Sequence, residues 1–307
     1  MAGTKEIKRR IKSVKNTKKI TKAMELVSAS KMKRSVSQTL SSRLYASYSW
    51  DVLTSLSNRL EEISHPFFGE VANSATNKDL IVLITSNRGL CGGYNSQIIK
   101  KVIYLIKNHN KNISDNFDII TVGKKGDNAM RKTGQNVIAS FMEMPDINIK
   151  IGDILPISTL ITEEYKKGDY KNVYISYTDF VSALSQKPKI KKILPITKGE
   201  IKELAEEGIE EKEKVKTPDK SEVPYLFEGD VEKLLESLVE KIVRMQIYQM
   251  VLESNASEQS ARMVAMKNAN EAAEEMIDDL TLMFNKARQA GITREISEIS
   301  AGMASIN

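Results

Sequence analysis

Residues 231–290 read VEKLLESLVE KIVRMQIYQM VLESNASEQS ARMVAMKNAN EAAEEMIDDL TLMFNKARQA, and no glycine or proline interrupts them. Alternating steps of three and four pick out Leu235, Leu238, Ile242, Met245, Gln249, Leu252, Ala256, Gln259, Met263, Met266, Asn270, Ala273, Ile277, Leu280, Phe284 and Ala287. All but Gln249, Gln259 and Asn270 are apolar, which is the seam of a coiled coil sustained over many turns. A second uninterrupted stretch, 4–65, opens the chain. Each would run roughly 90 Å as one helix, at about 1.5 Å per residue. The N-terminal stripe is patchier: Ile7, Ile11 and Val14; Ile20, Met24 and Val27; Val36, Leu40 and Leu44; then Leu53, Leu56, Leu60 and Ile63. Two helices of matched length at opposite ends of a chain pair most simply with each other, antiparallel. A homodimeric coiled coil is the rival arrangement. After Gly291 the stripe continues as Ile292, Ile296, Ile299, Met303 and Ile306, displaced by one position, so the tail turns towards a different neighbour.

All seven prolines lie between Pro66 and Pro224, and the segment they punctuate reads differently. Residues 80–85 are a continuous apolar run, as in a strand covered on both faces. A glycine-rich loop follows, then a helix with Ile98, Val102, Leu105 and Ile106 on one face. Next come a strand at 117–122, a turn at 123–126 and a short helix to Lys132. A helix over 153–166 would be capped by Asp153, with Pro156 in its first turn. A strand at 173–178 and an extended 189–196 close the region. Alternating strands and helices predict a mostly parallel, doubly wound, Rossmann-like sheet. Residues 198–222 hold nine acids and six lysines with little apolar content, which reads as a solvated, mobile insertion or at best a marginal charged helix. The expected division is an N-terminal coiled-coil helix over 1–65, an α/β domain over 66–197, the insertion over 198–222, and a coiled-coil helix with tail over 223–307.

Composition narrows the function. The 307 residues are 41% hydrophobic and 28% charged, and no apolar run nears the ~18 residues that a membrane span needs. A single cysteine, Cys91, forbids an intrachain disulfide, and two histidines, His65 and His109, forbid a His-rich metal cage. The formal net charge is +6, but residues 1–34 carry +10 and the remainder −4. That concentration predicts an acidic partner for the N-terminal helix. Nucleic acid is the weaker candidate, because no aromatic residue falls within 1–44 to stack on bases. A basic, acid-poor start also resembles a transit peptide, but the helical period continues past any cleavage point.

The chain shows no catalytic constellation. Ser86-Asn87-Arg88-Gly89-Leu90-Cys91-Gly92-Gly93-Tyr94-Asn95 lies between a strand and a helix, where a phosphate could bind. It matches neither the P-loop nor the dinucleotide fingerprint, so it reads as a tight structural turn. Cys91 has no histidine near it in sequence to act as a base. The thirteen methionines read as core and seam fillers.

Longer motifs add a resemblance. MAGTKEIK at 1–8, NTKKITKAMELV at 16–27, ASKM at 29–32, RGLCGG at 88–93, ARMVAMK at 261–267, NKARQ at 285–289 and ITREISEI at 292–299 run through the chain in order. Together they resemble the gamma subunit family of rotary F-type ATP synthases, end to end. The resemblance implies a non-catalytic rotor shaft without cofactor or metal, which couples proton flow through the membrane c ring to ATP synthesis or hydrolysis in an alpha3–beta3 head and regulates the ATPase. The implied partners are the alpha and beta subunits in a three-to-three ring, the epsilon subunit and the c ring, with one copy of the chain per complex. By position, Met24, Arg262, Gln289, Thr293, Glu295 and Glu298 would meet the alpha–beta ring. Tyr225, Leu226, Phe227 and Glu228 would form the foot on the c ring.

Three departures stand out. Asn87 replaces a common acid, Met303 a small residue, and the 198–222 insertion is longer than in compact members. The regulatory cysteine pair of chloroplast members is absent, so no thiol switch is expected. With no transit peptide, the expected location is peripheral, on the cytoplasmic side of a bacterial inner membrane.

Overall fold

The structure is a computed structural model that describes residues 3–57, 67, 78–109, 117–196 and 231–304. Its elements are helix α1 (Thr4–Ser57), strand β1 (Asp79–Ile84), helix α2 (Tyr94–His109), strand β2 (Phe117–Val122), helix α3 (Lys124–Lys132), strand β3 (Asn136–Phe141), helix α4 (Ile151–Lys166), strands β4 (Asn172–Phe180) and β5 (Gln186–Leu194), and helix α5 (Val231–Ala304). The chain divides into two compact units, one made of 1–29 with 262–307, the other of 30–261. The insertion at 198–222 and His65 lie outside the described residues.

In the larger unit the five strands form one sheet in the order β3-β2-β1-β4-β5. β1 pairs in parallel with β2 and with β4, β2 in parallel with β3, and β5 runs antiparallel to β4 along the edge. Alternation along the strands sorts the core. Leu80, Val82 and Ile84 of β1 join Ile120, Val122, Val173 and Ile175 on the face covered by Ile154, Ile157 and Ile161 of α4. The same cluster takes Val239, Ile242, Val243 and Leu252 of α5. Ile81, Leu83, Phe117 and Ile119 face the other way, onto Ile98, Val102 and Ile106 of α2 and Met130 of α3. Each such side chain contributes about 1.5–3 kcal/mol of burial. The expected doubly wound sheet is therefore present, with helices on both faces.

Local details differ from the sequence reading. β3 escaped it: Asn-Val-Ile-Ala-Ser-Phe lacks clean alternation, and this edge strand has an irregular register against β2. Of the expected turn at 123–126, Gly123 turns the chain at φ +100°, and Lys124, Lys125 and Gly126 already open helix α3. α4 starts at Ile151, so Asp153 is its third residue, and its carboxylate accepts the backbone N–H of Lys150 at 2.7 Å. Pro156 then falls in the second turn.

Hydroxyls fasten α5 to the sheet. Ser257 Oγ donates to the carbonyl of Thr178 at 3.1 Å, Ser260 Oγ to that of Ala183 at 2.8 Å, and Ser254 Oγ shares a 2.7 Å bond with the Tyr94 hydroxyl.

In both units α1 and α5 of the same chain run antiparallel, as expected, rather than as halves of a homodimer. In the smaller unit Lys18 Nζ lies 2.8 Å from Glu274 Oε1. In the larger, Ser35 Oγ donates to Asn255 Oδ1 at 2.7 Å, and Met32 Sδ lies 3.4 Å from Ser260 Oγ. The α5 seam lies where its spacing put it only in part, because Ile242, Met245 and Leu252 are buried in the core cluster of the sheet, which holds no α1 residue. Ile242, Leu252, Ala256, Met266 and Ala273 are buried, and Ile277, Leu280, Phe284 and Ala287 are half-buried among exposed neighbours.

The α1 stripe needs correction. Ile7, Ile11 and Val14 do face inward, but Ile20, Val27 and Leu40 are 60%, 56% and 55% exposed. The buried positions are Thr21, Ser28, Ser35, Thr39 and Ser42. Small hydroxyl side chains fit a narrow seam and can satisfy themselves on their own helix: Thr21 donates to the Lys18 carbonyl at 3.0 Å and Thr39 to the Ser35 carbonyl at 2.9 Å.

Two measurements test these packings. Ser35→Leu should lower stability by about 1–3 kcal/mol through overpacking, whereas Ile20→Thr should stay within about 0.5 kcal/mol, in denaturant titrations. Gly123 has φ +100°, and a Cβ there would sit 2.1 Å from the Thr85 carbonyl oxygen. Gly123→Ala should therefore cost roughly 2–4 kcal/mol, read from the shift in unfolding midpoint.

Candidate functional site

The strand-to-helix loop behind β1 is closed by the chain's own groups. Asn95 Oδ1 accepts the Ser86 N–H at 3.0 Å, while its Nδ2 donates to Ser86 Oγ at 2.7 Å and to Cys91 Sγ at 3.1 Å. Cys91 itself is buried. Leu90 and Gly92 take positive φ, at 63° and 56°. At the start of α3 the Lys124 N–H goes to Asn87 Oδ1, the Lys125 N–H to the Ser86 carbonyl and the Gly126 N–H to Thr85 Oγ1. The N–H groups of Ser86, Lys124, Lys125 and Gly126 are thus taken up within the chain. Among the described residues no cluster of His, Cys, Asp and Glu is arranged to hold a metal ion. No helix among them is long and apolar enough to cross a membrane.

What remains is surface, and in the smaller unit its faces are chemically unlike. On α1, Lys5, Lys8, Arg9, Lys12, Lys15 and Lys19 are exposed, together with Ile20, Leu26 and Val27. On α5 the exposed acids Glu271, Glu274, Glu275, Asp278 and Asp279 crowd two turns. Hydrogen bonding from Lys18 holds the Glu274 carboxyl below its ordinary value. Past Ala287 every described residue to Met303 is exposed, and the helix continues through Gly291. Ile292, Ile296, Ile299 and Met303 are 49%, 58%, 64% and 68% exposed, an apolar stripe facing solvent.

The residues expected at partner contacts fall as follows. Met24 is half-buried on α1 and Arg262 is buried on α5, both in this unit. Gln289, Thr293, Glu295 and Glu298 are all exposed. Gln289 and Thr293 are four apart on one face of the helix, Glu295 and Glu298 three apart on another. The foot at Tyr225, Leu226, Phe227 and Glu228 lies outside the described residues.

The family model described as ATP synthase matches residues 3–306. The chain belongs to the ATP synthase gamma-chain family, the central-stalk subunits of the F-type enzyme. It is 39% identical to the ATP synthase gamma chain of Herpetosiphon aurantiacus over 314 residues and 34% identical to that of Legionella pneumophila over 309, with 100% of each chain covered in both. The central stalk and c-ring structure of Tetrahymena thermophila mitochondrial ATP synthase contains a chain that aligns with 81% of this one and 99% of itself. Their TM-score is 0.57 at 25% identity. A chain in the OSCP/F1/c-ring structure of the Euglena gracilis mitochondrial enzyme aligns over 99% of this chain and 94% of its own length. At 20% identity and a TM-score of 0.66, it shares the fold.

A charged cluster that the sequence reading missed lies in the larger unit. Arg43 of α1 donates from Nε and Nη2 to Glu253 Oε1 of α5, at 3.2 and 3.1 Å. Arg43 Nη2 is also 3.9 Å from Asp179 Oδ1 of β4, and Asp179 Oδ2 receives Lys189 Nζ of β5 at 2.7 Å. Nothing in the spacing of residues so far apart announces the cluster, although a charge in the middle of each helix is a cue. Desolvation raises the Glu253 pKa above its ordinary 4.5, against the opposing pull of Arg43 and Gln249. An acid whose folded pKa is raised contributes stability at low pH, and loses that contribution as pH climbs through the folded value. The unsubstituted chain should therefore lose thermal stability relative to Glu253→Gln as pH is raised from 4.5 upward. Melting curves of the two proteins across that range check it, and a constant difference would count against the raised value.

Proposed function

We propose that this chain is the non-catalytic rotor shaft that couples proton flow through a membrane c ring to ATP synthesis or hydrolysis in a ring of three alpha and three beta subunits. One copy serves each ring, and the epsilon subunit binds beside it. The observation that carries this reading is the helix pair of the smaller unit. Its basic α1 face, acidic α5 face and bare apolar end differ from one another, and a shaft can shift only states that it contacts differently. Acidic levers on the beta subunits suit the lysines of α1, and an apolar sleeve suits Ile292, Ile296, Ile299 and Met303. Met24, Gln289, Thr293, Glu295 and Glu298 are the contacts with the ring, Arg262, buried within its own chain, acts behind them, and Tyr225, Leu226, Phe227 and Glu228 form the foot on the c ring. The complex acts at the cytoplasmic face of a bacterial inner membrane, with this chain peripheral to it. Regulation of ATPase activity belongs to the same contacts.

Co-expression with the cognate alpha and beta subunits, followed by native mass and ATPase assay, tests the role. One copy per three-plus-three ring is expected, with hydrolysis that drops when the chain is omitted; a chain that elutes alone and changes nothing rejects the reading. A finer test is Arg262→Gln in vesicles carrying the whole complex. Protons pumped per ATP should fall about fivefold or more while the melting temperature moves little. Unchanged pumping efficiency would remove Arg262 from the coupling path.

A further inference from the structure

A rotor must hand turning force from its globular part to both of its helices, and over 30–43, the stretch of α1 in the larger unit whose side chains are described, the fully buried side chains are all small hydroxyls. Ser35, Thr39 and Ser42 occupy the buried positions there, while Leu40 is 55% exposed. Apolar burial is in itself non-directional. The holding points on this part of α1 are polar. Lys31 Nζ reaches Asp146 Oδ2 at 2.7 Å, and the Gln38 amide donates to the Ile149 carbonyl, both in the segment that leads into α4. Arg43 reaches elsewhere. One guanidinium joins Glu253 of α5 and Asp179 of β4, donates to the Phe180 carbonyl at 3.5 Å, and through Asp179 meets Lys189 of β5. Gln249 Nε2 braces the same Glu253 oxygen at 3.0 Å.

We infer that Arg43 is the joint that locks α1 in register with α5 and the β4–β5 edge under load, and so carries torque from the α/β part into the shaft. The inference rests on the central-stalk role and adds a positioning residue to it. The cluster is a poor choice for stability alone. Glu253 is 7% exposed and the Asp179 side chain 14%, and buried charged groups of this kind are often replaced by apolar ones without loss. Fixing register is the best-attested use of such groups. The planar fork of arginine is what allows one side chain to serve a helix and a strand together; lysine offers only a point charge. Lys189, at 52% exposure, is the outer member that holds Asp179 in place.

The test uses the complete complex in proton-tight vesicles, with ATP hydrolysis and proton pumping measured on the same sample. For Arg43→Met, the complex should assemble and hydrolyse ATP at a near-normal rate, while protons pumped per ATP fall about fivefold or more. Arg43→Lys should recover part of that loss, a rescue that a merely space-filling role would not require. Full pumping per ATP in Arg43→Met overturns the inference. Should Arg43→Met fail to assemble, Lys189→Met, altered only at the exposed rim, is expected to lower the same ratio to a smaller extent, and an unchanged ratio there overturns it equally. Failure of the unsubstituted chain to assemble or support pumping is a different result, because it rejects the central-stalk role itself.

Discussion

The sheet of the larger unit is finished by a helix from the far end of the chain. Val239, Ile242, Val243 and Leu252 of α5 cover strand residues such as Leu80, Val82 and Val173, which α4 shares but does not carry alone. Apolar surface on that scale is the dominant favourable contribution to folding. It fixes the rotation of α5 about its own axis within the larger unit, where Asn255 and Ser260 are among the residues that meet α1. The serines at 254, 257 and 260 add direction to the burial, since their bonds to Tyr94, Thr178 and Ala183 fix the helix along its length as well.

The pairing of α1 with α5 shows how a coiled coil can be built with its polarity partly reversed. Along α1 the buried row moves from Ile7 and Val14 to Thr21, Ser28, Ser35 and Ser42, while aliphatic side chains at 20, 27 and 40 stand in water. A helix meant only to be stable would place them the other way round. Here small hydroxyls fill the buried row, and the outward aliphatic groups together with the lysines leave an apolar, cationic surface. Internal packing and the solvent-facing surface thus draw on different residue classes of the same helix.

Much of this was readable in the chain. Two long uninterrupted stretches, the steps of three and four in α5, and the continuous apolar strand at β1 led to the helix pair and the doubly wound sheet. The α1 seam was also visible in principle. Residues 7, 14, 21, 28, 35 and 42 recur every seven, but a search for apolar side chains passes over threonine and serine. The period carried the information, and the residue class obscured it. β3 was missed because its register and its exposure break the alternation that marks a strand. The Arg43 cluster draws on α1, β4, β5 and α5, so no local pattern could have placed it. Motif order identified the family, and it did so without revealing these contacts.

The late arrival of α5 also matters while the protein is being made. All five strands precede residue 195, yet one face of their sheet has no complete cover until residue 252 is available. On the ribosome the strands therefore emerge before they can bury Leu80, Val82 and Val173 against α5. The α/β part cannot close as an independent early folding unit, and its most aggregation-prone surface is open for the interval in which the 198–222 segment is translated. The nine acids and six lysines of 198–222 lie between the last strand and α5, so the delay is spanned by charged chain and not by further apolar chain.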